Sequence, residues 1–596
     1  MRRRVPLSGM LVLMCGLLMS GCARMESTSA PPIAGTMIPA LWAARAGDGS
    51  PVSGVELATV QATVQGPPGI TIDLSDVDAK GAGPQWRAAT GTAASLAVLY
   101  SGRDPSAVDL RYTITGPIDG PSAGALLAVA TLAELRGDTV SPTMTMTGTL
   151  APDGTIGVVS GVPEKVRAAH AAGFTSVLVP WGTRTEPGGE DPVAVGRALG
   201  LDVREVRDLP EAYRAFTGID LASHGASPLL SASATAVARK AAERLNSRVT
   251  ASSRSPLLDA ADRVALSQRL DIVNAALVTG DWATAYGVAV EADRAAGRLI
   301  ARARALTLLE ESGLDTAREG LVGEVDSLLR QAEADISRTS SLPGLGADQQ
   351  LGMAFALGPP TQALAVLRWL RNAVEDADAT SLASLAAVVA DQEFALTVLG
   401  PDAKAIVLAM PSRGAGAQAA RFASGYTDFL LGAARANLAY IDALGGMDQA
   451  PGGVVGPLLR LEAEANAISA DVSAVSDETR QLGTASVFFA ASGLLVTGRS
   501  VGLTLITPGE EVQLDPARDS LLTNTIETGL AQTYAWAAGA SQRSASLDLA
   551  VWRAQWAAAG YAALIGSQQQ GAMGSIAIEQ MTPAMLNGAM SAAAGA

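Results

Sequence analysis

The spacing of apolar side chains divides the chain into two regions of different character. Up to about residue 218, short runs alternate apolar and polar positions, the period of strands with one buried face. Such runs cover Ile38–Ala44, Val55–Val64, Leu110–Thr115 and Thr143–Thr147, and a polar Gly47–Ser50 turn makes the first two a hairpin. Compact apolar segments at Gln85–Tyr100 and Ala123–Leu135 predict helices, the second stopped by Gly137. The pattern then predicts a helix from Pro163 to Ala172, strands at Ser176–Val179 and Asp202–Val206, and helices at Asp191–Leu199 and Pro210–Phe216. Strands interleaved with helices predict an α/β domain over residues 37–218, a usual domain size.

Residues 219–228 (IDLASHGASP) have the composition of a linker. From residue 229 to 596 the alternation gives way to long Ala-, Leu- and Arg-rich segments with helical periodicity. Ser255-Pro256 and Gly358-Pro359 mark expected helix starts, and Gly280–Ala285 the turn of a helical hairpin, without a sustained 34-residue period. The apolar stretch Ala485–Leu503 is interrupted by Ser492, Gly493, Gly498 and Arg499, and reads as a buried helix rather than a membrane span. This region is long enough to bury its own core, as one bundle or two sub-bundles.

Candidate chemistry sits at two places in the α/β region. In Gly116–Gly124, GPIDGPSAG, a glycine- and proline-rich turn joins a strand to a helix and leaves Ser122 at the helix entrance. There its hydroxyl is either a helix cap or a nucleophile whose oxyanion would meet free backbone N–H groups. In Met146–Gly173, turns at Pro152–Gly154 and Gly157–Gly161 lead into a helix that carries Lys165 in its first turn. A cation is misplaced at a helix N-terminus, which lowers its pKa in the direction that a general base needs. Positive charge elsewhere is almost all arginine; Lys80, Lys165, Lys240 and Lys404 are the only lysines. Arginine cannot surrender its proton, whereas lysine can.

Together these stretches resemble the proteolytic domain of the Lon protease family. Ser122 in DGPSAG is similar to the family nucleophile and Lys165 in GVPEK to its catalytic lysine, at the family's 43-residue separation. Thr147 in MTG resembles the threonine that hydrogen-bonds the lysine, and Asp119 also falls on the family motif, where its own reading is a turn-stabilising carboxylate. The resemblance runs from about Met37 to Gly218 and is closer to the ATPase-free and archaeal-type branches than to the bacterial ATP-dependent enzyme; one departure is Ser160 before Gly161, where the family has Gly-Gly. It implies an α/β Lon-type proteolytic domain followed by a large, mainly α-helical domain. It implies a Ser–Lys endopeptidase acting on peptides or unfolded or presented proteins, without cofactor or metal, in a homo-oligomeric ring.

The N-terminus adds a location. Three arginines precede an apolar run from Val5 to Met19, and Met19-Ser20-Gly21-Cys22 resembles a bacterial lipobox. Residues 1–21 are therefore expected to be a lipoprotein signal and residues 22–36 a tether beginning at lipidated Cys22. This places the chain in the cell envelope, on the extracytoplasmic side, at the outer membrane or periplasm of a diderm. The chain's two cysteines, Cys15 and Cys22, would both be consumed, which excludes a disulfide or cysteine-bound metal in the mature protein. Its two histidines, His170 and His224, give no Ser–His–Asp arrangement: His170 follows Lys165 by five residues and projects from another helix face. A net charge of −15 argues against nucleic acid as a partner. No GxxxxGK[ST] phosphate loop occurs in the sequence, so proteolysis here would be ATP-independent. The size of the helical region keeps a different class open: a lipid-anchored scaffold or receptor, with its own partner, whose Lon-like domain is regulatory, self-processing or inactive.

Overall fold

The computed structural model describes residues 35–63, 71–103, 108–183, 190–221, 229–411, 416–443, 457–463, 475–505, 512–542 and 547–594. The leader, Cys22 and most of the expected linker lie outside these residues. Strands Thr36–Arg45 (β1) and Pro51–Thr63 (β2) form the opening hairpin, paired antiparallel from Thr36 with Val60 to Arg45 with Pro51. A short strand Thr71–Asp73 (β3), the turn of helix Ser75–Ala79 (α1) and the helix Pro84–Ser101 (α2) follow. Strand Asp109–Ile114 (β4) completes a four-stranded sheet of order β1-β2-β4-β3, antiparallel to β2 and parallel to β3.

The turn after β4 leads into Gly124–Arg136 (α3), ended by Gly137 in the left-handed region. Every residue of α3 except Glu134 and Arg136 is buried, as expected of a helix that is apolar all round. Strand Met144–Met146 (β5) is followed by a two-stranded antiparallel hairpin, Thr149–Leu150 (β6) with Ile156–Gly157 (β7), and by helix Val162–Ala171 (α4). Ser176–Pro180 (β8), helix Pro192–Leu199 (α5), Asp202–Val206 (β9) and helix Leu209–Thr217 (α6) close the region. Strands β5, β8 and β9 form a second, parallel sheet. The pieces that the apolar pattern did not predict, β3, α1 and the β6–β7 hairpin, have five residues or fewer, too short for a period to register.

Beyond residue 229 the described chain is almost entirely helical. The helix start expected at Ser255-Pro256 falls instead at Ala260, because Asp259 accepts from the Asp262 amide and caps the helix there. Gly280 ends that helix and Asp281 caps the next, Trp282–Ser340, which is broken at Gly313. One strand pair was not foreseen: Leu503–Leu505 pairs with Val512–Leu514 directly after helix Val475–Val501. That helix and Leu382–Ala409 are long and apolar enough to cross a bilayer, but 72% and 56% of their apolar stretches are buried within the protein.

The two regions share a core. Helix α2 is buried along most of its length, covered by α3 and by helices Gly416–Ala443 and Gln570–Ala594. Gly91 allows the close approach: a Cβ there would stand 3.0 Å from the Ala436 methyl. Tyr100 at the end of α2 meets Trp536 edge to face, with ring centroids 5.9 Å apart. A single apolar cluster thus runs from Ile38 and Leu126 to Phe488, Trp552 and Met590. A second cluster lies apart, between residues 305–336 and 357–396. Residues 35–596 accordingly form one compact unit. Removing a buried aromatic costs roughly 3–5 kcal/mol. We therefore expect Trp536→Ala to lower the melting temperature of both regions in a single cooperative step, read by circular dichroism together with limited proteolysis; independent melting would contradict a shared core.

Candidate functional site

The site is built at the junction of α3, the β5–β6 connection and α4. Pro121 and Ser122 occupy the turn ahead of α3, and Ser122 is half-buried. Its carbonyl oxygen accepts from the Gly148 amide at 2.7 Å and from the Thr147 hydroxyl at 3.2 Å. In return the Ala125 amide donates to the Gly148 carbonyl at 3.1 Å. The helix entrance is thereby tied to the chain just after β5. Gly148 leaves room for Ile156 of β7, one methyl of which would stand 2.6 Å from a Cβ there. Thr147 is fully buried, and its own amide donates to Leu178 of β8.

Lys165 lies in the first turn of α4, where Gly161 takes a left-handed backbone at φ 67° and a Cβ would press on Ala43. That glycine is the one the chain keeps; the departure from the family pattern falls on Ser160, which is exposed. Lys165 is only 4% exposed, and its Nζ donates to Thr147 Oγ1 at 3.3 Å. Among the described residues no carboxylate pairs with it. Burial therefore pushes its pKa down from 10.5 to about 8. Glu164 turns its carboxylate toward Gly161 and adds nothing to that shift. The structure thus brings Ser122, Thr147 and Lys165 together, with Thr147 accepting from the lysine and donating to the serine's carbonyl.

Asp119 is not part of this chain of contacts. Its carboxylate accepts from the amides of Gln85 and Trp86 and caps α2, standing where a Cβ on Gly83 would be. It stabilises the turn that carries Ser122. His170 is exposed on α4.

Sequence reasoning missed the far side of the site. The middle of the segment between Thr147 and Lys165, Thr149–Gly157, is gripped by the helical region. Tyr440 hydrogen-bonds Thr149, and Ala151 packs on Tyr440, Ile441 and Val496. Pro152 lies against Gly493, buried Asp153 lies beside Thr497, and Thr155 hydrogen-bonds Thr525 at 2.7 Å. Asp208 beside it accepts from Asn524 at 2.8 Å and Thr528 at 3.0 Å. Partners some 300 to 370 residues away leave no local signal.

With this geometry in hand, residues 113–199 match the Lon protease (S16) C-terminal proteolytic domain. The chain carries a Lon-type proteolytic domain, followed by a largely helical region. Similar proteins include Lon proteases of Frankia alni, 42% identical over 98 residues (16% of this chain, 11% of that protein), and of Desulfovibrio desulfuricans, 35% identical over 138 residues (22% and 15%). The Lon protease of Mycoplasma genitalium is 40% identical over 76 residues (12% and 10%). The aligned part therefore spans between a tenth and a seventh of these relatives, and the helical region lies outside the family match at residues 113–199.

With only four lysines, the chain suits side-chain ¹⁵N-lysine spectra. One amine signal is expected to titrate at about pH 8 and to vanish in Lys165→Met. No signal titrating below pH 9.5 would contradict a buried amine without a counter-ion.

Proposed function

We propose that this chain is a membrane-anchored, ATP-independent serine endopeptidase of the cell envelope, with Ser122 as nucleophile and Lys165 as general base. The observation that carries the reading is the buried lysine without a counter-ion, joined through Thr147 to the backbone of the serine, inside the segment that matches a proteolytic domain. With its pKa lowered to about 8, a fraction of the amine is neutral near physiological pH and can accept a proton from a hydroxyl; a salt-bridged amine stays charged.

In this mechanism Ser122 Oγ attacks the scissile carbonyl carbon while Lys165 Nζ takes its proton. The amides of Gly124 and Ala125 are already spent on Pro121 and Gly148, which leaves those of Ser122 and Ala123 to stabilise the oxyanion. The lysine ammonium then protonates the departing amine as the C–N bond breaks, leaving an acyl ester on Ser122. Lys165, neutral again, deprotonates a water that attacks the ester, and returns the proton to Ser122 as the acid leaves. Thr147 keeps the amine oriented throughout.

The substrates are peptides and loosely folded or presented proteins, since no phosphate loop is present in the sequence to drive unfolding. The basic start, the apolar run and Met19–Cys22 support lipidation at Cys22, and with it attachment to the extracytoplasmic face of a membrane. A homo-oligomeric ring would have to form on faces that the helices packed on α2 leave open.

The test is hydrolysis of casein and of a fluorogenic peptide without ATP. Ser122→Ala and Lys165→Ala should each lower kcat by on the order of 10⁴-fold with folding retained. Thr147→Val should lower it by about tenfold, the worth of one hydrogen bond. Because the neutral amine is the base, kcat/KM should rise with pH through about 8. Cys22→Ser should release the protein from membranes. A folded parent without activity, or activity unchanged in Lys165→Ala, would sink the reading.

A further inference from the structure

A separate cavity of about 80 Å³ lies inside the helical region, bordered by helices Gly358–Glu375, Val475–Val501, Asp548–Leu564 and Gln570–Ala594. Arg553 forms part of its wall and is 3% exposed. One of its N–H groups has a structural task. Pro359 has no N–H, so the Phe355 carbonyl four residues earlier loses its helical partner, and Arg553 Nη2 donates to it at 2.9 Å. The Nε–H, equally buried, has no acceptor. A buried donor left unpaired costs about 1–3 kcal/mol, more on a charged group.

The two acids on the cavity wall do not neutralise this arginine. Asp391 is held by Arg298, with contacts of 2.7 to 2.9 Å, and Glu579 by Arg294 at 3.2 Å. No carboxylate among the described residues lies within ion-pair distance of Arg553. Burial pushes its pKa down to about 10, only partly offset by Tyr286 and Glu579. The rest of the wall is mostly apolar, with Phe394, Leu399, Val487 and Leu494 prominent. Where helix Leu382–Phe394 reaches the cavity it opens into a single π-turn, Ala395–Leu399, a distortion often found at binding sites.

We propose that this cavity binds a small monocarboxylate bearing a short apolar group, its carboxylate paired with Arg553 and its apolar end against Phe394, Leu399 and Val487. One uncompensated positive charge calls for one negative charge. A dianion such as phosphate would be repelled by Asp391 and Glu579, and a planar carboxylate matches the guanidinium fork. The volume holds several waters, or the carboxylate and short apolar group of such a ligand. The same chemistry is carried by a free short-chain acid or by the C-terminal residue of a peptide.

The test uses the purified full chain with butanoate and N-acetyl-leucine, each against its amide, in calorimetric titrations and thermal melts. Saturable binding of at least one acid with a rise in melting temperature is expected, and at least tenfold weaker binding of its amide. Butanoate binding alone identifies a free acid as the source; N-acetyl-leucine binding alone identifies a peptide end. Arg553→Gln should abolish the effect, and so should Val487→Phe, which fills the cavity and keeps the charge. Should Arg553→Gln fail to fold, the amide comparison and Val487→Phe decide. No binding of either acid, equal binding of acid and amide, or binding undiminished in Val487→Phe would overturn the proposal. Because peptide hydrolysis plays no part in the measurement, its outcome is independent of the activity assigned to Ser122.

Discussion

The Ser122 carbonyl takes two hydrogen bonds from consecutive residues, the Thr147 hydroxyl and the Gly148 amide, and the site depends on that pair. It fixes the turn before α3 against the end of β5, so that Thr147 can face the serine's backbone and the lysine amine at once. The lysine in turn has no other polar partner on its amine among the described contacts. Holding an ammonium there costs roughly 3 kcal/mol relative to water, from the displacement of its pKa. That cost is borne by the packing of α4 against β1, β2 and β8, where Val162, Val166 and Ala169 join an apolar cluster with Leu41, Val177 and Val203. An unfavourable position for a charge is thus maintained by ordinary burial, and that burial is what leaves part of the amine neutral near pH 8.

The second dependence runs through the segment between Thr147 and Lys165. Both ends of that segment belong to the site, and its middle, Thr149–Gly157, is held by Tyr440, Thr497, Ser500 and Thr525 of the helical region. The helices therefore do more than accompany the proteolytic domain. They complete its core through α2 and set the hairpin from which the site hangs. Helix Asp519–Gln542 touches this region at Thr155, through Thr525, and at the neighbouring Asp208, through Asn524 and Thr528.

Much of this was legible in the sequence, for identifiable reasons. The strands around β1, β2 and β4 expose one face, so their alternation registered, and the glycine stops at Gly137 and Gly280 take the left-handed backbone that only glycine adopts freely. Ser122, Thr147 and Lys165 stood out because a motif and an electrostatic oddity coincided. Asp119 was ambiguous since an Asp in a turn and a carboxylate near a nucleophile look alike in one dimension; its bonds to Gln85 and Trp86 resolve it as a helix cap. The shared core was not legible. Helix α2 is built largely of alanine and other small residues on every side, so its pattern could not say how many neighbours cover it. The grip on Thr155 and Asp208 was invisible because its partners are threonines and an asparagine, residue types without a distinctive pattern of their own.

The central claim is that burial of Lys165 makes Ser122 a nucleophile. It is tested most directly by labelling the full chain with a fluorophosphonate and mapping the modified residue by mass spectrometry across a range of pH. Phosphonylation is expected at Ser122 alone among the serines, with a rate that climbs as pH passes about 8 and falls to background in Lys165→Met. Labelling spread over several serines, or a Ser122 rate indifferent to Lys165, would contradict it.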